Sequence, residues 1–161
     1  MIFITIFIIL LCLFGLSWFS GTDAPYVPTQ TDSLELVLKW CGVKGKKFWE
    51  LGSGDGRVVF AAARLGADGV GVEQSLLRVL YSRYKAKKLK LNCDFIHDNI
   101  FNINYSKADV VYIYLLPKAV FKLETKLQKE LKANSQIITQ RFHFKTLKPY
   151  KKIDNFWIYQ V

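Results

Sequence analysis

The run Phe48-Trp49-Glu50-Leu51-Gly52-Ser53-Gly54-Asp55-Gly56-Arg57 limits the fold more than any other part of the chain. A short apolar strand runs straight into three glycines at alternate positions. Arg57 to Arg64 (Arg-Val-Val-Phe-Ala-Ala-Ala-Arg) then reads as a helix stopped by Gly66. Glycines at such a bend let the chain turn tightly and let backbone approach a ligand at the carboxyl edge of a strand. The alternation continues downstream. Gly69-Val70-Gly71-Val72-Glu73 reads as a second strand, Leu76 to Leu89 as a basic helix, and Cys93 to His97 as a third strand. Asp109 to Leu115 is the strongest strand signal and is bounded by Pro117. A helix striped by Val120, Leu123, Leu127 and Leu131 follows, then a fifth strand from Gln136 to Arg141. Lys145 to Val161 reads as a hairpin. Strands alternating with helices predict an α/β fold: a Rossmann-like, doubly wound, mostly parallel seven-stranded sheet with an antiparallel C-terminal strand.

Ahead of this lies a segment of a different kind. Met1 to Ser20 carries no charged side chain, although the whole chain has 23 Lys and Arg against 13 Asp and Glu and a formal charge of +10. As a helix, 18–20 residues would span roughly 27–30 Å, about the thickness of a bilayer's hydrocarbon layer. Trp18 falls near its downstream end, where an amphipathic ring suits the interface. A cleaved signal peptide would need a basic start and small residues at the cleavage site, whereas Trp18-Phe19-Ser20-Gly21 puts bulky rings there. Residues 1–20 are therefore expected to be one transmembrane helix and 21–31 a linker broken by Pro25 and Pro28. Residues 32–161 form the remaining domain, whose first helix is capped by Thr31 or Asp32 and ends at Gly42. The 161 residues leave no room for a further domain. Cys12, Cys41 and Cys93 are odd in number and widely spaced, which argues against a disulfide framework or a structural zinc site, and no metal site is expected.

The chemistry rests on which ligand the glycine turn takes. A dinucleotide fingerprint needs a small third residue, yet Arg57 stands there, and the Gly-Lys-Ser/Thr of a phosphate-binding loop is absent. Glu50 at the mouth of the turn and Asp55 within it are poor neighbours for a pyrophosphate and good ones for a cation. S-Adenosylmethionine carries an ammonium and a sulfonium and has no phosphate, so the sign of charge favours it. Glu73 ends the second strand at about the 20-residue spacing at which a carboxylate meets ribose hydroxyls. Asp98 or Asn99, just after the third strand, is placed for the adenine amino group.

These residues resemble the class I, seven-strand S-adenosylmethionine-dependent methyltransferases. Pro25-Tyr26-Val27-Pro28-Thr29, the stretch from Glu50 to Val59, Tyr114-Leu115-Leu116-Pro117 and Gln140-Arg141-Phe142 are similar to one subgroup. That subgroup is the membrane-anchored protein-lysine methyltransferases whose mitochondrial members modify the ATP synthase c-ring protein and the adenine nucleotide translocase, with their prokaryotic relatives. The resemblance covers roughly Pro25 to Val161, and an N-terminal membrane segment is typical of the group. It implies that Glu50, Gly52, Ser53, Gly54 and Gly56 hold the methionine end, Glu73 the ribose, and Asp98 or Asn99 the adenine, with Tyr26 and Thr29 closing over the cofactor. It further implies a lip of Tyr114, Leu115 and Pro117 beside the acceptor. No general base is identified, and Tyr114 is the candidate to test. The chain departs from the subgroup at Gln74-Ser75, where Asn-Pro is usual, and at Leu147-Lys148-Pro149, where a Trp precedes the Pro.

The expected acceptor is a lysine of a membrane-associated protein, with the catalytic domain on the cytoplasmic side, or inside an organelle in a eukaryotic host. That placement rests on the cofactor, since Lys39 against Asp23, Asp32 and Glu35 gives little charge bias near the membrane. Lys85, Lys87, Lys88 and Lys90 read either as a solvated face or as a patch for anionic lipid headgroups. His97 and His143, each flanked by large apolar residues, read as structural. Rival readings are a methyltransferase acting on RNA or on a lipid or quinone, and a cofactor-binding membrane protein without catalysis. The +10 charge encourages nucleic acid. Methylation of an adenine amino group would favour Asp/Asn-Pro-Pro-Tyr where this chain has Tyr114-Leu115-Leu116-Pro117, so nucleic acid is the less expected partner.

Overall fold

The computed structural model describes residues 1–19 and 31–161. α1 (Ile2–Phe19) is followed by α2 (Thr31–Trp40), β1 (Lys47–Leu51), α3 (Arg57–Arg64), β2 (Asp68–Glu73) and α4 (Leu76–Leu89). Then come β3 (Cys93–His97), β4 (Val110–Ile113), α5 (Pro117–Glu130), β5 (Gln136–Gln140), β6 (Lys151–Ile153) and β7 (Phe156–Gln160). The seven strands form one sheet in the order β3-β2-β1-β4-β5-β7-β6. β1 pairs in parallel with both β2 and β4, and β7 is antiparallel to β5 and β6. The strand order reverses between β1 and β4, and ligands of open α/β sheets bind at such a reversal, beyond the carboxyl ends of the strands.

Side-chain alternation along each strand divides the core into two layers. Phe48, Val110, Tyr112 and Ile138 face α2 and α3, packing on Leu34, Leu38, Val58 and Ala62. Leu51, Val111, Ile113 and Ile137 face the other way, onto Val120, Leu123 and Leu127 of α5. α3 also joins α4 through Val59, Phe60, Val79 and Phe95. Helices α2, α3 and α4 therefore cover one face of the sheet, and α5 covers the other.

Two strands are shorter than their hydrophobic runs. β4 was expected from Asp109 to Leu115 but ends at Ile113. Its last partner on β1 is Leu51, and Gly52 turns away at φ +78°, so Tyr114 and Leu115 have no ladder to join. β5 stops at Gln140 because Arg141 takes a left-handed conformation, φ +65°.

α1 is an 18-residue helix whose side chains from Met1 to Leu13 are all exposed. At that length it rises about 27 Å, just under a hydrocarbon layer of about 30 Å. Among the described residues no helix is long and apolar enough to cross a membrane. The span expected over residues 1–20 therefore falls short at the described length. The Trp18 side chain and the run Pro25 to Thr29, with Tyr26 and Thr29, lie outside the described residues.

Candidate active site

The carboxyl edges of β1, β2, β3 and β4 bring the site together. At the end of β1 the main chain bends back on its neighbour, and the N–H groups of Gly52 and Ser53 both donate to the carbonyl of Val72 on β2, at 2.8 and 2.9 Å. Gly52 and Gly56 both sit at φ +78°. A Cβ on Gly56 would lie 2.6 Å from the Phe95 ring, and one on Gly52 would lie 2.8 Å from a Leu115 methyl. Neither the conformation nor the space admits a side chain, which accounts for both glycines.

The acids around this turn meet main-chain donors. Glu50 is 5% exposed, and its Oε2 accepts the Val59 N–H at 3.2 Å, in the first turn of α3. Asp55 Oδ1 accepts the Arg57 N–H at 3.3 Å, while the Arg57 guanidinium grips the same carboxylate at 2.7 and 3.0 Å. Glu73, also buried, accepts the Gly54 N–H at 2.9 Å with one oxygen and the Ser75 N–H at 2.9 Å with the other. Arg78 Nη1 lies 3.7 Å from Glu73. Burial pushes the Glu50 carboxyl well above the usual range; the Val59 N–H and Arg57 oppose this, and Asp55 and Glu73 add to it. The Ser53 hydroxyl is buried among these groups with no hydrogen-bond partner among the described residues.

This arrangement is a direct test of ligand charge. A phosphate at a helix N-terminus needs free N–H groups and no competing anion. Here Glu50 and Asp55 already occupy that position on α3, and Glu73 takes the Gly54 N–H. Three carboxylates and an orphan hydroxyl around a bare backbone bend fit a positively charged nucleoside bearing free hydroxyls, and do not fit a pyrophosphate.

The remaining residues expected from the sequence lie along the same edge. The Asp98 N–H donates to the Glu73 carbonyl at 3.2 Å, which sets the segment after β3 beside Glu73. Asp98 Oδ1 accepts from the Asn99 main chain and from Asn102 Nδ2, while Asn99 Oδ1 accepts from the Phe101 N–H. Both are half-buried turn-formers. Tyr114 is half-buried and packs on the α2–α3 side of the core, whereas Leu115 packs on the α5 side. Pro117 opens α5 at its first position, where its missing N–H is harmless. His97 and His143 are both exposed, each touching a main-chain carbonyl. Among the described residues no group of three or more His, Cys, Asp or Glu could hold a metal ion.

Sequence reasoning missed two buried charges. Arg78 lies on the inner side of α4 beside Glu73, and the signal was its register with Val79, Ser82 and Ala86. Glu124, 5% exposed on α5, accepts the main-chain N–H groups of Lys145, Thr146 and Leu147 and the Thr146 hydroxyl, at 2.6–3.0 Å. It ties down the segment between β5 and β6, and it stood next to Leu123 in the apolar stripe.

The strand order, the glycine turn at the β1–β4 reversal and the acid ending β2 define a Rossmann-like methyltransferase fold. A solved RNA methyltransferase from Salinibacter ruber, bound to S-adenosyl-L-homocysteine, has this fold with a TM-score of 0.76; it is 30% identical, over 83% of this chain and 91% of that one. The chain belongs to the ANTKMT methyltransferase domain family, which matches residues 50–151. Among its relatives are the human lysine N-methyltransferase of the ATP synthase c-ring protein, 33% identical over 84% of this chain, and a protein-lysine N-methyltransferase of Saccharolobus islandicus, 28% identical over 80% of this chain and 83% of the relative. The chain spans about 60% of the length of the human relative.

Proposed function

We propose that the protein transfers a methyl group from S-adenosylmethionine to a lysine side chain of a membrane-associated protein. The observation that carries this reading is the Glu50 carboxylate seated on the N-terminus of α3, with Glu73 across the turn. Together they reserve the site for a cationic nucleoside. The lysine methyltransferases among the relatives support the acceptor.

In this reading Glu50 and the Gly52–Gly56 backbone, with Ser53, hold the methionine end. Glu73 holds the ribose hydroxyls, Asp98 or Asn99 the adenine, and Tyr26 and Thr29 close over the cofactor. Bound there, S-adenosylmethionine supplies an electrophilic methyl group on sulfonium. The chain's own part is alignment and exclusion of water. A lysine amine attacks only when neutral, and a lip of Leu115, Pro117 and Tyr114 favours the neutral form by stripping water from it. Tyr114 is the candidate proton acceptor.

Residues 1–20 serve as a single-pass anchor, 21–31 as the linker and 32–161 as the transferase domain, on the cytoplasmic side or inside an organelle. What supports the anchor is the charge-free, wholly exposed apolar surface of α1, far larger than soluble monomers leave uncovered. An anchored enzyme meets a membrane-bound acceptor at raised local concentration.

RNA is the second reading, favoured by the name of the Salinibacter ruber protein and by the net charge of +10. Purified protein incubated with labelled methyl donor, host membranes and host RNA separates the two. Label recovered on lysine by mass spectrometry supports the proposal, and label confined to RNA or to an organic extract overturns it. Tyr114→Phe should then lower the turnover on lysine by about 100-fold, within the range for loss of a general base, with cofactor affinity unchanged.

A further inference from the structure

α4 buries one side only, through Arg78, Val79, Ser82 and Ala86. The opposite side of a surface helix is ordinarily polar. Here it presents Leu76 and Leu80, each 50% exposed, and Tyr84, 67% exposed. Their spacing of four residues puts them in one stripe along the helix. Arg83, Lys87 and Lys88 flank that stripe and are exposed, and no acidic residue occurs between Leu76 and Cys93. A solvated face has no need of leucine, and leucine offers a nucleic acid no stacking surface. An apolar stripe bordered by cations is what a helix needs to lie in a membrane interface.

Position in the fold points the same way. α1 packs against α4, so the exposed apolar surface of α1 adjoins this stripe. Leu76 follows Glu73 by three residues, so the first turn of α4 stands at the same sheet edge as the glycine turn.

We propose that α4 is a second membrane contact: Leu76, Leu80 and Tyr84 dip into the interface of an anionic bilayer while Arg83, Lys87 and Lys88 meet its headgroups. The proposal deepens the membrane reading of α1 and rests on it for its geometry. It brings the mouth of the site to headgroup level, so the acceptor lysine is one that emerges at the bilayer surface.

The test uses the full chain with Cys12→Ser and Cys93→Ser, carrying an environment-sensitive fluorophore on Leu80→Cys or, as control, on Gln128→Cys, an exposed position of α5 on the far side of the sheet. Each is reconstituted into phosphatidylserine-rich or pure phosphatidylcholine vesicles containing brominated lipid. The expected result is severalfold stronger quenching on Leu80→Cys than on Gln128→Cys in the anionic vesicles, reduced when Lys87→Gln and Lys88→Gln are added. Equal quenching at the two positions overturns the proposal. Alkaline carbonate extraction reads the anchor separately. A chain that resists extraction while Leu80→Cys stays in water keeps the anchor and loses α4. A chain that is extracted, yet quenches on anionic vesicles, loses the anchor and keeps α4. Single-stranded RNA that binds α4 with an affinity untouched by Leu80→Ser and Tyr84→Ser assigns the surface to nucleic acid and overturns the proposal.

Discussion

Glu50 and Glu124 are buried to the same degree, each 5% exposed, yet they sit in opposite circumstances. Glu124 has four hydrogen bonds from Lys145, Thr146 and Leu147. Burial pushes its carboxyl up, but those hydrogen bonds outweigh burial and hold it below the usual range. Glu50 has one main-chain donor, Val59, and two neighbouring carboxylates, and its carboxyl is driven well above that range. The first acid is satisfied and fastens a loop. The second is held at a disadvantage in the free protein, as a group kept for a cationic ligand would be. Burial alone therefore does not mark a functional acid; the number of donors around it does.

Glu73→Ala breaks the functional side hardest. It removes the acceptor for Gly54 and Ser75 and the partner of buried Arg78, and loss of a buried charge partner costs about 3–5 kcal/mol. Calorimetry should find S-adenosylmethionine affinity lowered by more than about 100-fold, and unchanged affinity would remove Glu73 from the ribose contact. Glu50→Gln should weaken the same binding by about 10–100-fold, the worth of one charge-assisted contact, while the melting temperature at pH 7 holds or rises. Glu124→Ala should do the reverse. Its thermal unfolding should show a loss of about 2–3 kcal/mol, as several hydrogen bonds to a buried carboxylate vanish, with cofactor affinity within about twofold, below the 1.4 kcal/mol that makes a factor of ten.

pH sharpens the contrast with a smaller effect. Glu50 is raised in the folded state, so its contribution to stability is complete below about 4.5, the unfolded value, and is lost as pH rises through its folded pKa. Glu124 is lowered, so its contribution is present above about 4.5 and is lost as pH falls through its folded pKa. Denaturant midpoints taken across pH should therefore show Glu50→Gln removing a decline on the alkaline side and Glu124→Gln removing one on the acid side. Cofactor binding to the unmodified chain should strengthen as Glu50 ionises, and that trend should be absent in Glu50→Gln.

The parallel sheet was legible because hydrophobic runs, glycine stops and Pro117 punctuate the chain at every element boundary. The residues of the glycine turn and Glu73 could be placed because their chemistry is local: an acid a fixed distance from a bend on adjacent strands. Strand ends were less legible, since Tyr114 and Leu115 are as apolar as Ile113 and only the departure of Gly52 from β1 removes their partner. Glu124 and Arg78 escaped because their partners are long-range or lie on another element, and composition carries no trace of such pairings. The Asp98 and Asn99 side chains are engaged in their own turn, which strand spacing alone does not reveal.

The central claim is that the bend after β1 is built for positive charge, and a calorimetric comparison of two ligands tests it most directly. Titration of the full chain with S-adenosylmethionine should give saturable heat that Glu73→Ala abolishes, and titration with NAD should give none. Saturable binding of NAD, with S-adenosylmethionine silent, would contradict the account.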